Sequence, residues 1–129
     1  MQRSRWTGIA AVLVSFLAGA GLMWAQQQAQ GTTRREPQFE NEHMRVWKSI
    51  IMPKQPLVLH RHEHGRALIA LTDGELKVVD QNGATLETYH WERGKAYWLS
   101  ADPPGQLHAD VNETANPIEV IVVELKNDK

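Results

Sequence analysis

From Phe39 to Lys126 the sequence is written in short β-prone runs, each cut off by turn residues, and no stretch holds an amphipathic helical period. His43 to Met52 carries Val46, Trp47, Ile50 and Ile51 and stops at Pro53. Pro53-Lys54-Gln55-Pro56 reads as a turn, because two prolines remove amide donors and fix φ. Leu57 to His64 is expected as the next strand, ended by Gly65. Ala67 to Leu71 follows and closes at Thr72-Asp73-Gly74, whose Asp-Gly pair favours a tight hairpin. Glu75 to Asp80 alternates Leu76 and Val78 with Lys77, and Asn82-Gly83 is a second hairpin signal. Ala84 to Trp91, Ala96 to Leu99, Gln106 to Asn112 and Ile118 to Leu125 complete the set, separated by Glu92-Arg93-Gly94, the rigid Pro103-Pro104 loop and Asn116-Pro117. About eight short strands at such spacing form an all-β barrel or sandwich.

One of these runs carries an unusual load. Three of the six histidines, His60, His62 and His64, stand at alternate positions. On a straight strand they share one face. Apolar flanks, Leu57-Val58-Leu59 and Ala67 to Leu71, place them in a folded core, where an unpaired polar group costs about 1–3 kcal/mol. A metal ion is the partner that serves several imidazoles together. The chain has no cysteine, so thiolate sites, disulfides and a cysteine nucleophile are excluded. A metal here is held by His, Asp or Glu, which favours Fe, Mn, Ni, Cu or Zn over cluster chemistry.

Upstream, Arg3 and Arg5 precede an uncharged apolar stretch from Trp6 to Ala25. A basic start followed by an apolar run reads as an export signal, and the run is long enough to span about 30 Å as a helix. Residues 1–25 are therefore expected as a signal peptide, with Ala18-Gly19-Ala20 or Ala25 before the cleavage point, or as an uncleaved anchor. Residues 26–38, glutamine-rich and nearly free of apolar side chains, are expected as a flexible linker, and 39–126 as the folded domain. The protein is expected outside the cytoplasm, in the periplasm if bacterial, touching a membrane only through its N-terminal segment. Charges nearly balance, 14 Lys+Arg against 15 Asp+Glu, and no basic cluster suggests nucleic acid.

The folded part resembles the cupin family. His60-x-His62, ahead of a strand that ends at Gly74, looks like the first cupin motif, and Pro103-x-Gly105-x-x-His108-x-x-x-Asn112 matches the core of the second. The resemblance implies a double-stranded β-helix (jelly-roll) barrel, frequent homodimerisation, and a divalent metal held by His60, His62 and His108. It also implies a glutamate in the first motif, and here the chain departs: Arg66 and Ala67 occupy that position, and Lys54 stands where a glycine would lead the motif.

Three arrangements follow. The three histidines alone bind the metal and leave positions open, as in the thiol-dioxygenase branch of the cupins, and the uncompensated dication attracts an anionic ligand. Alternatively His64, or Asp110 two residues beyond His108, supplies a fourth ligand. Otherwise the barrel has lost its metal and keeps the histidines as polar wall. Arg66 turned inward would clamp a substrate carboxylate bidentately; turned outward, the slightly more frequent arrangement, it is solvated. His43 and His90 are expected at the surface, and Asn112 to fix a turn. The resulting function is a metal-dependent cupin, an oxygenase for a small organic or amino acid, or else a non-catalytic module that binds a metal or small ligand.

Overall fold

A computed structural model of the chain describes residues 31–128, and every regular element in that range is a strand. The strands are β1 (Arg34–Glu40), β2 (Met44–Ile51), β3 (Arg66–Ala70), β4 (Gly74–Asp80), β5 (Thr85–Trp91), β6 (Ala96–Leu99), β7 (His108–Val111) and β8 (Ile118–Leu125). They form two sheets, ordered β1-β2-β8-β3-β6 and β5-β4-β7. Every pairing is antiparallel.

Period-two alternation decides which side chains lie between the sheets. Along β8, Ile118, Val120 and Val122 are buried while their neighbours are half-exposed. Along β3 the buried set is Arg66, Leu68 and Ala70. These rows meet in one core, in which Trp47 and Ile51 of β2, Leu68 of β3 and Val120 of β8 join Leu76 of β4 and Trp91 of β5. The expected all-β fold is therefore present, with the cavity and the histidines between the two layers.

Three details differ from the expectations. Leu57–His64 is not a strand. The segment runs beside β7 through Leu57 N–H to Asp110 O (3.0 Å) and a single bridge between His60 and His108. Pro53 and Pro56 supply no amide donors just ahead of it, and the chain leaves β7 after His60. The Asp73-Gly74 bend is not a hairpin, since β3 and β4 belong to different sheets. Gly74 sits there because a Cβ would lie 2.7 Å from Ile118 Cγ1, and Asp73 Oδ1 accepts the Arg93 amide at 2.8 Å across the bend. The Asn82-Gly83 hairpin does join β4 to β5, with Gly83 at φ 82° and Asp80 Oδ1 accepting the Asn82 and Ala84 amides.

The expected linker 26–38 is cut short. Arg34 to Gln38 lie in β1, paired with β2 from Arg34↔Ile50 onward. A strand with almost no apolar residues is stable here as the sheet's edge, where β2 supplies the hydrogen-bonding partner. The signal or anchor expected over residues 1–25 lies outside the described residues. Among the described ones, no helix is long and apolar enough to cross a membrane.

Candidate metal centre

A loop and a strand bring the histidines together. The loop after Pro56 carries His60 and His62, and β7 begins with His108. Reciprocal backbone bonds tie the two, His60 N–H to His108 O at 2.9 Å and His108 N–H to His60 O at 2.8 Å. Each of the three residues offers one ring nitrogen, and these lie within 4.8 Å of one another. His62 and His108 are buried, and His60 is half-buried.

Two of the outer nitrogens are hydrogen-bonded, and the third faces a carboxylate. His60 Nδ1 lies 2.7 Å from the Val58 carbonyl. A carbonyl only accepts, so the ring donates from Nδ1, which in the neutral tautomer leaves the lone pair on Nε2. His62 Nδ1 lies 2.7 Å from Glu124 Oε2. Burial tends to push the Glu124 carboxyl up, but the His62 hydrogen bond and the nearby charges of His62, Arg66 and Arg45 together hold it below its ordinary value. An ionised carboxylate can only accept, so His62 also donates from Nδ1. His108 Nδ1 stands 3.2 Å from Asp102 Oδ2, the oxygen that accepts the His62 amide at 2.7 Å. Metal-binding imidazoles characteristically donate their second N–H to a carboxylate or a carbonyl in this way.

Protonation follows the same logic. Burial holds His62 below its ordinary value, with the Glu124 bond opposing and the charges of Arg66 and His60 adding to the depression. Burial also holds His108 down, against Asp110. Both rings are thus neutral near pH 7, the state a metal requires. Within the cluster, His60 Nε2 is buried with no hydrogen-bond partner; Trp91 Nε1, in the cavity wall, is the other such atom among the described residues. A buried, unpartnered imidazole nitrogen beside the neutral rings of His62 and His108 fits a borderline divalent ion.

The two fourth-ligand candidates separate. His64 does not join the group; its Nδ1 meets the backbone carbonyl of Asp128 instead. The expected shared face fails because the segment is not a straight strand beyond His60. Asp110 does stand at the cluster, its two carboxylate oxygens 3.8 Å from His60 Nε2 and 3.9 Å from His108 Nε2. Arg66 faces inward, contrary to its solvated expectation. It is 6% exposed, donates to Ser100 O at 3.2 Å and lies 4.0 Å from Asp102 Oδ1.

A cavity of about 370 Å³ opens beside the cluster, with His62, His108, Asp110 and Arg66 in its wall. Trp47, stacked parallel to His62 at 6.1 Å between ring centroids, and Trp91 supply aromatic surface. Tyr89 also faces it, its hydroxyl pushed up to about 12 by burial and by Glu87. His43 and His90 lie at the surface against Glu42 and Glu75. Asn112 is fully buried and bonds Ile51 O, Asn116 O and Thr114, so it fixes the turn after β7.

No sequence-family model matches the chain, and no curated protein does. Solved structures do. A cupin-domain protein of Bordetella pertussis superposes with a TM-score of 0.63 at 22% identity, over 74% of this chain and 94% of its own. The chain has the cupin fold. A protein with a double-stranded β-helix domain from Klebsiella pneumoniae (TM-score 0.54, 24% identity, 77% of this chain and 82% of its own) and an RmlC-like cupin protein of Methanocaldococcus jannaschii (0.55, 16%, 73% and 80%) are similar in the same way. Against that fold, the acid expected in the first cupin motif is absent from β3. The carboxylates nearest the histidines come from elsewhere: Asp110 from β7, Glu124 from β8 and Asp102 from the loop before β7. Glu124 stands directly across from Arg66 in the β3–β8 register.

Asp102 and Glu124 were not legible as site residues from motif spacing. Glu124 did carry a signal, since it continues the inward row of Ile118, Val120 and Val122. A carboxylate on an inward row needs a partner. Asp102 carried only its position immediately before Pro103.

Proposed function

We propose that this protein is an exported, metal-binding cupin and that its three-histidine centre serves a non-haem, metal-dependent oxygenase acting on a small organic or amino acid. The observation that carries the metal reading is the direction of the imidazoles. His60 and His62 give Nδ1 to acceptors, His108 sets its own against Asp102, and the buried Nε2 of His60 is left without a partner. His60, His62 and His108 would hold the ion, with Asp110 beside them. Bound there, Fe, Mn, Ni, Cu or Zn would supply Lewis acidity and open positions for a small ligand.

The rest is done by the protein's own side chains. Glu124 and Asp102 orient two of the rings, and the aromatic wall of Trp47 and Trp91 excludes water. Arg66 offers its guanidinium to an anionic group. Arg3 and Arg5 ahead of the apolar Trp6–Ala25 support export.

A non-catalytic module that captures a metal or a small ligand is the second reading. What favours it is that Asp102 and Glu124 are engaged by the histidines and Tyr89 is held protonated, leaving Asp110 as the one candidate base among them. Oxygen consumption by the iron-loaded full chain, over a panel of amino thiols and small acids, separates the two. Uptake that depends on the added acid and disappears in His60→Ala is expected. Iron-loaded protein that consumes no oxygen with any member would leave the binding module.

A further inference from the structure

β1 brings a residue to the cavity that no cupin motif contains. Arg35 pairs with Ser49 of β2, and its side chain crosses to stack on Trp47, with its guanidinium carbon 4.8 Å from the ring centroid. Trp47 is itself fixed by a bond from its indole N–H to Ser49 Oγ at 3.1 Å and by stacking on His62. Arg35 therefore stands in the cavity wall beside Trp47, and the wall also includes His62 and His108 of the histidine cluster. It ranks among the exposed residues of β1. Even so, the protein crowded around its head group desolvates it and lowers it below its ordinary value, Asp110 and Glu124 pulling the other way and Arg66 adding to the depression.

The guanidinium is held in place without being used. Among the described residues no carboxylate forms an ion pair with Arg35 and no acceptor takes its N–H groups. Arg66, in the same wall, is only partly engaged, its Nη1 lying 4.0 Å from Asp102 Oδ1. Of its five N–H donors, the described hydrogen bonds engage only the one to Ser100 O, and with 6% of its surface exposed the others have the cavity to face. Two arginines with spare donors, at one cavity, ask for an acceptor with a negative charge. The wall also carries apolar side chains, Leu76, Val78, Trp91 and Val122, beside the carboxylates of Glu87, Asp102 and Asp110.

We propose that Arg35 and Arg66 form a two-point clamp for the carboxylate of a small acid with an apolar body, Arg66 from inside and Arg35 from the cavity mouth. Arg35 is then the residue that selects acids over their uncharged counterparts. This deepens the function proposed above by naming the ligand class, and it rests on that reading of the cavity as the ligand site.

The test uses the full chain, metal-free and metal-loaded, titrated calorimetrically with benzoate and butyrate and with the matching amides, benzamide and butyramide. Both acids are expected to bind at least about tenfold more tightly than their amides. Arg35→Gln should remove about that preference by weakening the acids while leaving the amides unchanged. Arg35→Lys, which keeps the charge but loses the stack and the fork, should fall between. Metal content measured on the same samples should be equal in all three proteins, and equal melting temperatures show that each is folded. Acids and amides that bind alike, or an acid preference untouched in Arg35→Gln, overturns the proposal. Acid selectivity that depends on Arg35 in a protein that takes up no metal would sustain the clamp and defeat the metal reading alone.

Discussion

Glu124 shows how much one side chain can decide. It accepts the outer N–H of His62 and so keeps the inner nitrogen free for an ion. Glu124→Gln presents an amide that can turn its donor toward the ring, and the tautomer is no longer fixed. Losses on changing such partners run about 10–100-fold in metal affinity. A chelator competition assay on Glu124→Gln should fall in that range with the fold intact by circular dichroism; an unchanged affinity would show that the bond is incidental.

The same burial sets an acid response. His62 and His108 are both held below the ordinary histidine value of 6.5. As pH falls through 6.5 the unfolded chain binds protons that the folded chain refuses. The unfolded state then holds more protons, and stability falls with pH toward the lowered folded values. Glu124, lowered from 4.5, adds a second loss that begins below that point. The thermal midpoint of the metal-free chain should therefore drop between about pH 7 and pH 5, before ordinary carboxylates titrate. A midpoint that is level across that interval would contradict neutral, buried rings.

At the scale of elements, the bend between β3 and β4 carries the chain from one sheet to the other. Its glycine serves packing, not φ: a Cβ at Gly74 would meet Ile118 at 2.7 Å, whereas one at Gly83 would meet nothing within 4 Å but would strain a φ of 82°. Gly74→Ala should cost about 1–3 kcal/mol by overpacking the core, and Gly83→Ala about 1 kcal/mol through backbone strain. Denaturant midpoints of the two variants compare them directly. An insensitive Gly74 would mean that the bend can move off Ile118.

Much of this layout was legible in the sequence. β6 and β8 fall where period-two runs and turn residues put them, and β4–β5 is the hairpin that Asn82-Gly83 announces. Asp73-Gly74 has the same local chemistry, and only the packing of Ile118 makes it a crossing. Turn residues specify a change of direction and leave the choice of sheet to the core. Arg34 to Gln38 of β1 read as linker because an edge strand need not be apolar: its hydrogen bonds come from β2, and its own sequence records little of that. His64 misled for the related reason that alternation holds only while a strand continues, and this one ends in effect at His60. Arg66 was readable. It shares the buried row of Leu68 and Ala70, and a solvated arginine at the head of that row was the less consistent expectation.

Across the whole molecule, both sheets contribute to a cavity, next to histidines from a loop and a strand that are far apart in sequence. The His60–His108 bridge ties that loop to β7 and Asp102 accepts the His62 amide, so the cluster exists only in the folded chain. Ligation would then add to stability by mass action, about 2.7 kcal/mol at a hundredfold excess over Kd, and a chelator should take that increment away. The central claim is that the three histidines are a metal centre. It is tested most directly by elemental analysis of the full chain, gently purified without a histidine tag, beside His108→Ala. About one equivalent of a single transition metal is expected in the first and a small fraction in the second. Less than about a tenth of an equivalent in both, after incubation with Fe, Mn, Ni, Cu and Zn salts in turn, would contradict it.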